Sequence, residues 1–528
     1  MYRILVSDPL EKTGLAMLRE SGHQVDELTA EDKHRLPEIL PEYDALVVRS
    51  GTQVTAELLK KGTSLKVVGR AGIGVDNVDT KAATQLGILV VNAPTANLIS
   101  ATEHTFALLL AVARNVTKAD ADLRSGQWNR KKWVGAELQG KTLGIIGYGR
   151  IGQQVARRAR AFDMKIVAYD PFLSDEVVRR AEAEPMELDA MLGVADVVTL
   201  HVPLTDETRD ILNAERLPKM KEGAVLINCA RGGTVDEDAL YELLESGHIA
   251  GAGLDVFAQE PPEDYRLARH PRVVATPHLG AQTQEAQVRI STQTARMVVA
   301  ALGGSLEVSA VNLPFRPAGS GGTPWLRLGE KLGRLASSLA DGELRRVEVL
   351  LHGVEESLHV PVSVAAIKGA LTRSMGEGVN YVNAESIAVD RGVEIRRVVA
   401  EGQTGYPNQL QVRLVTEERT VTAAGTLFED GDGRVVSLDG YRLEFRPKGS
   451  LLVVRNEDIP GVVGQLGTVL GDARINIAEI HLARERSTDD RQALAVVRLD
   501  HSVAPDVLDR VRSLPAVIDA DPVDLGDA

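Results

Sequence analysis

Three side chains that could carry acid–base chemistry follow apolar segments between residues 223 and 278. His278 suits a general base because the ordinary pKa of histidine, about 6.5, lies near neutral pH. Glu260 could accept a hydrogen bond from the second ring nitrogen and raise the pKa of the imidazole. Arg231 offers a planar pair of donors that matches a carboxylate. These residues could oxidise a secondary alcohol beside a carboxylate, although a structural ion pair with a packed histidine has the same residue types.

The segment 141–171 indicates where a hydride acceptor would bind. Gly147, Gly149 and Gly152 form G-x-G-x-x-G between an apolar strand and a helical run, which suits a tight turn, an approaching pyrophosphate and close helix packing. Asp170 ends the next strand, 18 residues beyond Gly152. An acid there accepts hydrogen bonds from ribose hydroxyls and repels a 2′-phosphate. We therefore predict a dinucleotide site that prefers NAD to NADP, with Arg150 as the residue that could instead serve a phosphate.

Elements that could position these groups appear as repeated apolar runs, which predict parallel sheets covered by helices. Residues 1–96 contain four such runs, and Arg49 and Ser50 directly follow the run at 45–48. Ligands gather at the carboxyl ends of parallel strands. Arg49 is therefore either a residue that binds a substrate anion or a solvated surface arginine.

Between the two repeats, residues 101–124 predict one long helix that includes His104, to which we assign no role. The cationic segment 128–133 could bind an anion, or it could be an exposed loop or a subunit contact. Cys229 is interpreted as a small buried residue rather than a nucleophile.

Composition excludes several classes of protein. The formal net charge is −14 without a long basic run, which argues against a nucleic-acid partner. The single cysteine fits a reducing compartment, and no apolar run is long enough to span a membrane. The chain begins with a strand rather than a signal peptide, so we expect a cytoplasmic protein. No metal is expected.

The C-terminal part changes character after a Pro- and Gly-rich linker at 306–324. Residues 325–448 mix helical and β-like runs, and Arg442, Arg446 and Lys448 could form either an anion site or a solvated basic face. From residue 449 a strand, a helix and two further strands follow one another.

Several motifs together resemble the D-isomer-specific 2-hydroxyacid dehydrogenase family. They are the glycine unit 147–170, the segment NCARGG at 228–233, DVFAQEPP at 255–262 and TPHLGA at 276–281. The resemblance implies an α/β fold: a Rossmann-like NAD-binding domain, 97–279, inserted in a flavodoxin-like substrate domain formed by 1–96 and 280–305. The tail resembles that of long family members, with an α+β intervening domain at 325–448 and a ferredoxin-like ACT domain at 449–528.

The resemblance also implies residue roles. Arg231, Glu260 and His278 would be the catalytic set, and Ile73 departs from relatives in which a hydroxyl residue contacts the cofactor. The implied cofactor contacts are Gly147, Gly149, Arg150, Ile151, Gly152, Asp170, Cys229, Ala230, Arg231, Asp255, His278 and Gly280.

Long family members of this kind oxidise D-3-phosphoglycerate to 3-phosphohydroxypyruvate, the first step of L-serine biosynthesis. This resemblance implies that Arg49, Ser50 and Asn97 contact the substrate, and that Arg130 reaches its phosphate from a neighbouring subunit. A homo-oligomer is expected, with a tetramer as the implied size. Two alternatives remain open: a reductase for glyoxylate or hydroxypyruvate, and an NAD-sensing binding protein on the same fold.

In the ACT-like tail, Asp458 and Asn476 match positions that bind L-serine in the family. The alternative is that Asp458 only caps the following helix. Asn456 stands where relatives often carry His or Tyr.

Overall fold

The computed structural model describes residues 1–316, 319, 321–400, 405–484 and 492–526. Parts of the predicted linker (317, 318 and 320), of the predicted intervening domain (401–404) and of the predicted tail domain (485–491, 527 and 528) lie outside the described residues. Four sheets follow one another along the chain, two wholly parallel, one mixed and one antiparallel. The predicted fold class is confirmed. In the described part of the chain, none of the helices is long and apolar enough to cross a bilayer.

The first lobe is a five-stranded parallel sheet of the flavodoxin type. Its second strand was not expected from the sequence because QVDE is polar and lies at an edge. The elements are β1 Arg3–Val6, α1 Lys12–Glu20, β2 Gln24–Glu27, α2 Leu36–Ile39, β3 Ala45–Val48, α3 Ala56–Lys61, β4 Val67–Arg70, α4 Thr80–Gln85 and β5 Leu89–Asn92, and the strand order is β2-β1-β3-β4-β5.

The second lobe is a seven-stranded parallel sheet in which the strand order reverses beside the glycine-rich turn. The elements are α5 Leu98–Ala113, α6 Val116–Arg124, β6 Thr142–Ile146, α7 Arg150–Arg160, β7 Lys165–Tyr169, α8 Asp175–Arg180, β8 Glu184–Pro185, α9 Leu188–Val194, β9 Val197–Leu200, β10 Ala224–Asn228, α10 Glu237–Ser246, β11 Ile249–Leu254 and β12 Val273–Ala275. The strand order is β12-β11-β10-β9-β6-β7-β8, so the switch point lies between β9 and β6. Ligands bind at such switch points in open α/β sheets.

The single long helix predicted for 101–124 is wrong, because the chain breaks between α5 and α6. Asn115 adopts a left-handed conformation with φ of 52°. The Ala113 carbonyl at the end of α5 accepts a hydrogen bond from the Ala136 N–H instead of continuing the helix. The residues returning toward β6 therefore cap α5, which alanine and leucine content could not reveal.

After the second lobe the chain returns to the first. Helix α11, Gln284–Leu302, packs against α1, β4 and β5. The first part of the predicted linker then pairs with the edge strand β5: Val311 N–H donates to the Val90 carbonyl, and the Asn312 side chain accepts from Val90 N–H. This pairing covers an edge that would otherwise expose backbone groups.

The last two sheets form the C-terminal part. The mixed sheet has the order β14-β13-β15-β16-β17-β18 and is covered by α12 and α13, whereas the antiparallel sheet has the order β20-β21-β19-β22. The elements are α12 Thr323–Ser338, β13 Leu344–His352, α13 His359–Met375, α14 Ala384–Asp390, β14 Glu394–Val399, β15 Gln409–Thr416, β16 Thr420–Leu427, β17 Gly433–Leu438, β18 Tyr441–Phe445, β19 Ser450–Glu457, α15 Val462–Asp472, β20 Ile477–Arg484, β21 Gln492–Leu499, α16 Pro505–Arg512 and β22 Val517–Asp524.

Candidate active site between the two parallel lobes

The predicted acid–base pair is formed. His278 Nδ1 lies 2.6 Å from Glu260 Oε2, and both side chains keep about 40% of their surface exposed (48% and 37%). The other carboxylate oxygen of Glu260 accepts the Phe257 N–H at 3.1 Å. Glu260 is thus anchored by its own loop, and the Nε2 face of His278 remains the side from which a substrate proton could be taken.

A buried carboxylate, Asp255, holds the segment that carries His278. Its two oxygens accept the N–H groups of Leu279 and Gly280 at 2.7 and 2.8 Å, and its carbonyl accepts the His278 N–H at 2.8 Å. Burial alone would raise the pKa of Asp255, but hydrogen bonds from His104, Thr276 and Leu279 outweigh burial and hold it below its usual range. Asp255 is therefore an ionised anchor, and both of its oxygens already have donors within the protein.

Arg231 is presented by a turn that buried Asn228 shapes. The Asn228 amide donates to the Arg231 carbonyl and accepts the Ala230 N–H. The guanidinium reaches across to the first lobe, where its Nε donates to Asp76 at 2.8 Å. A Cβ at Gly74 would lie 1.8 Å from Arg231 Nη2, so only glycine admits the guanidinium there. Arg231 therefore lies at the contact between the two lobes.

A second arginine in this place, Arg70, was missed in the sequence analysis. It ends β4, and burial, followed by the positive charge of Arg231, lowers its pKa to about 10. Arg49 contributes to the same effect, which places three guanidinium groups in one neighbourhood. The signal available in the sequence was its position at the carboxyl end of an apolar strand, where ligands of parallel sheets gather.

Loops of the first lobe hold the remaining substrate candidates. The Arg49 N–H donates to buried Asp8 at 2.7 Å, and the Arg49 carbonyl accepts from the Asn77 amide at 2.6 Å. Ser50, the next residue, is exposed. Asn97 stands at the start of α5, and its buried Oδ1 makes no hydrogen bond with any residue that the structure describes.

Arg130 lies apart from these loops on the exposed segment between α6 and β6. Its neighbours there include large apolar side chains that face solvent, since Trp128 is 76% and Val134 is 78% exposed. The single chain does not bring Arg130 together with Arg49, Ser50 and Asn97.

The glycine-rich turn has the geometry that a dinucleotide needs. Gly147 has φ of 91°, and a Cβ on Gly152 would lie 2.3 Å from the Gly147 carbonyl oxygen. A Cβ on Gly149, by contrast, would meet no atom within 4 Å. Helix α7 begins at Arg150 directly after this open position, so its N-terminus is available to phosphate oxygens. Ile151 follows in the first turn of the same helix.

Asp170, directly after β7, is held by two backbone hydrogen bonds. Its two carboxylate oxygens accept the Tyr148 and Phe172 N–H groups at 2.9 and 3.0 Å. Each oxygen keeps a further lone pair, so the carboxylate can still accept hydroxyl donors. The open glycine, the helix N-terminus and this acid together fit NAD.

The remaining cofactor candidates lie on two strand ends. Cys229 and Ala230 directly follow β10, and Gly280 lies two residues after His278 in the segment that follows β12. Burial, with a smaller contribution from the charge of Asp255, raises the pKa of the Cys229 thiol to about 12, as suits a small packed residue. Ile73 lies in the loop after β4, where its carbonyl accepts from the Asn92 amide.

His104, to which the sequence analysis assigned no role, belongs to this site. Its Nε2 lies 3.1 Å from Asp255 Oδ1 and 2.9 Å from Thr276 Oγ1. Among the described residues, His104, Cys229 and Asp255 are also a group whose donor atoms all lie within 4.8 Å. The ring nitrogen and both carboxylate oxygens are, however, already used in hydrogen bonds.

In the C-terminal sheet, the two effector candidates have separate partners. Asp458 Oδ2 lies 3.1 Å from Arg484 Nε, and the Asn476 amide donates to Asp500 at 2.9 Å. Gly461 is the N-cap of α15 and no side chain caps it, so Asp458 is not the helix cap. Asn456 is buried in β19 and donates to the Glu457 carbonyl. In the intervening sheet, Arg446 pairs with Asp432 at 2.8 Å.

Comparison with known proteins first defines the class. Residues 106–280 match the family described as D-isomer specific 2-hydroxyacid dehydrogenase, NAD binding domain. Residues 323–439 match the D-3-phosphoglycerate dehydrogenase intervening domain, and 450–516 match the ACT domain. The expected NAD-binding, intervening and ACT modules are therefore present in this order.

Full-length relatives make the class narrower. D-3-phosphoglycerate dehydrogenase from Bacillus subtilis is 39% identical and the alignment covers 99% of this chain and 100% of that protein. The enzyme of the same name from Methanocaldococcus jannaschii is 40% identical, with the same coverage. The crystal structure of D-lactate dehydrogenase from Aquifex aeolicus with NAD and lactic acid is 30% identical and covers 58% of this chain and 96% of its own, with a TM-score of 0.52. The chain belongs to the D-3-phosphoglycerate dehydrogenase family of D-isomer-specific 2-hydroxyacid dehydrogenases.

Proposed function

We propose that this protein oxidises D-3-phosphoglycerate to 3-phosphohydroxypyruvate with NAD, the first step of L-serine biosynthesis. The observation that carries the proposal is the His278–Glu260 pair, 2.6 Å apart, in a chain that matches D-3-phosphoglycerate dehydrogenases along its whole length. Arg49, Arg70 and Arg231 lie close enough to influence one another electrostatically, and they could bind a substrate that carries both a carboxylate and a phosphate.

His278 acts as the base in this scheme. Its Nε2 takes the proton of the substrate hydroxyl, while Glu260 accepts the Nδ1–H and stabilises the imidazolium that forms. When bound, NAD would supply the acceptor for the hydride that leaves the carbon bearing this hydroxyl. In the reverse direction His278 returns the proton to the carbonyl oxygen.

Arg231 binds the carboxylate and polarises the forming carbonyl. Asp76 now occupies its Nε, so substrate would share or replace that ion pair. Arg49, Ser50 and Asn97 contact the substrate from the first lobe, and we add Arg70 to this set because its buried charge lies near Arg231.

Each domain has its own proposed role. Residues 1–96 and 280–305 bind substrate, 97–279 bind NAD, 306–324 form the linker, 325–448 the intervening domain and 449–528 the ACT domain. The proposed cofactor contacts are Gly147, Gly149, Arg150, Ile151, Gly152, Asp170, Cys229, Ala230, Arg231, Asp255, His278 and Gly280.

We further propose a homotetramer that L-serine inhibits. Exposed Trp128 and Val134 suggest that the segment with Arg130 meets another subunit, from which Arg130 would reach the phosphate. Asp458 would meet the ammonium group of serine, and Asn476 would orient its carboxylate. Light scattering of the purified protein tests the oligomer size.

One assay tests the activity: NADH oxidation with 3-phosphohydroxypyruvate, compared with hydroxypyruvate and glyoxylate, with and without L-serine. We expect a strong preference for the phosphorylated acid and inhibition by serine. Preference for an unphosphorylated acid would place the enzyme among the reductases and leave Arg49 without a substrate role. NADH binding without turnover on any 2-oxo acid would indicate an NAD-sensing binding protein.

A further inference from the structure

The Asp255 carboxylate accepts more hydrogen bonds from the protein than a residue that only contacts the cofactor would need. Its side chain is 1% exposed, and four donors from two parts of the chain, helix α5 and the segment 276–280, converge on it. They are Thr276 Oγ1 at 2.6 Å, His104 Nε2 at 3.1 Å, Leu279 N at 2.7 Å and Gly280 N at 2.8 Å. The Leu279 and Gly280 N–H groups belong to the loop that follows His278. The His104 and Thr276 side chains lie outside that loop, and they orient the Asp255 carboxylate.

The directions of these bonds determine the tautomer of His104. An ionised carboxylate only accepts, so the Thr276 hydroxyl donates its proton to Asp255. The hydroxyl oxygen, 2.9 Å from His104 Nε2, is then available only as an acceptor. Nε2 must therefore carry the proton, and its N–H is directed at Asp255 Oδ1 and Thr276 Oγ1 together.

The backbone around His278 explains why such an anchor is needed. His278 has φ of 54°, a left-handed conformation that residues other than glycine rarely adopt. Such conformations persist when the surrounding structure over-determines them. Asp255 does so on both sides, because its carbonyl accepts the His278 N–H and its carboxylate accepts the next two N–H groups.

We propose that His104 is a positioning residue for the general base. Through its Nε2–H it orients the Asp255 carboxylate, and Asp255 fixes the backbone of 278–280 from which the imidazole reaches Glu260. His104 lies on α5, outside the loops that carry the proposed catalytic residues. It is separated from Asp255 by 151 residues in the sequence. This inference rests on the proposed function, in which His278 transfers the substrate proton.

The titratable groups that face Asp255 are His104 from α5 and Cys229 after β10. Burial works to raise the pKa of Asp255, and the His104 hydrogen bond is the first of the contacts that oppose it. Removing that donor therefore raises the pKa of Asp255. Because protonation turns one of the two carboxylate oxygens into a hydroxyl and weakens the N–H bond that this oxygen accepts, kcat should then fall as the pH is lowered, in a range where the wild type is still flat.

The experiment compares wild type, His104→Leu and His104→Gln in NADH-dependent reduction of 3-phosphohydroxypyruvate between pH 5.5 and 9. His104→Leu should lose about tenfold in kcat at pH 7, the lower end for groups that orient an active-site residue, and gain the acidic limb. The KM for NADH should stay within about twofold, since the glycine turn is untouched. His104→Gln, which keeps an N–H donor, should lose less than about threefold and keep the wild-type pH profile.

His270→Gln is the matched control. His270 is also a buried histidine of the second lobe, but its Nε2 pairs with Glu245 at 3.1 Å, away from the His278 loop. It should keep the wild-type kcat and pH profile. If His104→Leu does not fold, Thr276→Val removes the other side-chain donor to Asp255 and should show the same acidic limb, and Thr276→Ser should restore the wild-type profile.

A folded His104→Leu with wild-type kcat and pH profile would overturn the inference, as would equal losses in the Leu and Gln variants with no acidic limb. Loss of wild-type kcat on dialysis against EDTA would also overturn it, since His104, Cys229 and Asp255 would then hold a metal. Absence of wild-type turnover on every 2-oxo acid would be a failure of the proposed function, recognised before any variant is compared.

Discussion

The candidate active site and the candidate effector site organise their residues differently. In the active site the predicted partners are bound to one another, with His278 and Glu260 2.6 Å apart. In the C-terminal sheet the two residues predicted to bind serine are each paired with another side chain of the protein, Asp458 with Arg484 and Asn476 with Asp500.

This difference indicates how ready each site is to bind. A preorganised pair binds its ligand more tightly and reacts faster because folding has already fixed its orientation before the ligand arrives. If serine binds at Asp458, the ion pair with Arg484 must first break before the carboxylate can contact the serine ammonium group. Breaking that pair lowers the binding free energy that serine gains. We therefore expect the effector site to be the weaker of the two and the more dependent on its surroundings.

Removing His278, the proposed general base, should give the largest effect. We choose His278→Asn because asparagine tolerates the left-handed backbone at this position, where alanine would be strained. Without a group that can take the proton, kcat should fall about 10³-fold. Steady-state rates of 3-phosphohydroxypyruvate reduction measure the loss, and NADH fluorescence confirms that the cofactor still binds. Near-normal turnover in a folded variant would contradict the base assignment.

Breaking the ion pair of the effector site should separate regulation from catalysis. In Asp458→Ala the carboxylate proposed to bind the serine ammonium is absent. The serine concentration for half-inhibition should rise at least about tenfold, with kcat unchanged. Inhibition curves at fixed substrate measure the shift.

The matched control for that change is Glu479→Gln, which removes an acid of β20 that pairs with Arg498 at 2.6 Å. It should leave serine inhibition as in the wild type. An unchanged curve in Asp458→Ala would remove Asp458 from the effector site.

A smaller effect should appear in the stability of the C-terminal part. Burial, and then the charges of Asp519 and Asp341, raise the pKa of Asp521 to about 6. The folded state thus holds this proton more tightly than the unfolded chain, and the stability it contributes at low pH is lost as the pH rises from about 4 through 6. Asp521→Asn should avoid that loss and raise the Tm by about 2–4 °C at pH 8.

The difference in Tm should disappear below about pH 3, where the wild-type carboxyl is protonated in both the folded and the unfolded state. Calorimetry at the two pH values measures it. Asp472→Asn, which changes a largely exposed acid on α15, should show no such pH-dependent gain. A gain of equal size at both pH values would show that Asp521 is not the titrating group.

The smallest effect is expected at Cys229. With a pKa of about 12, roughly one thiol in ten thousand is ionised at pH 8, so alkylation by iodoacetamide should be very slow. Activity should remain within about twofold after an hour, and Cys229→Ser should also keep kcat within about twofold. Rapid inactivation with a single label on Cys229 would contradict the interpretation as a packed residue.

Local patterns were enough to predict much of this molecule. The turn at Gly147–Gly152 and the acid at Asp170 could be predicted because each function is a property of a few neighbouring residues. The parallel sheets followed from the repeated apolar runs. The polar edge strand β2 was missed because its side chains carry no apolar signal.

The tertiary structure decided the contacts between segments that are distant in the sequence. His104 and Asp255 are 151 residues apart, and Arg231 and Asp76 are 155 apart, so spacing could not show that either pair forms. The break at Asn115 depends on the later segment that caps α5. Residue types and motifs thus determined which chemistry the chain could perform and where NAD would bind. Packing of the two lobes decided which arginines share one place and how His278 is held, because those interactions exist only once the segments meet.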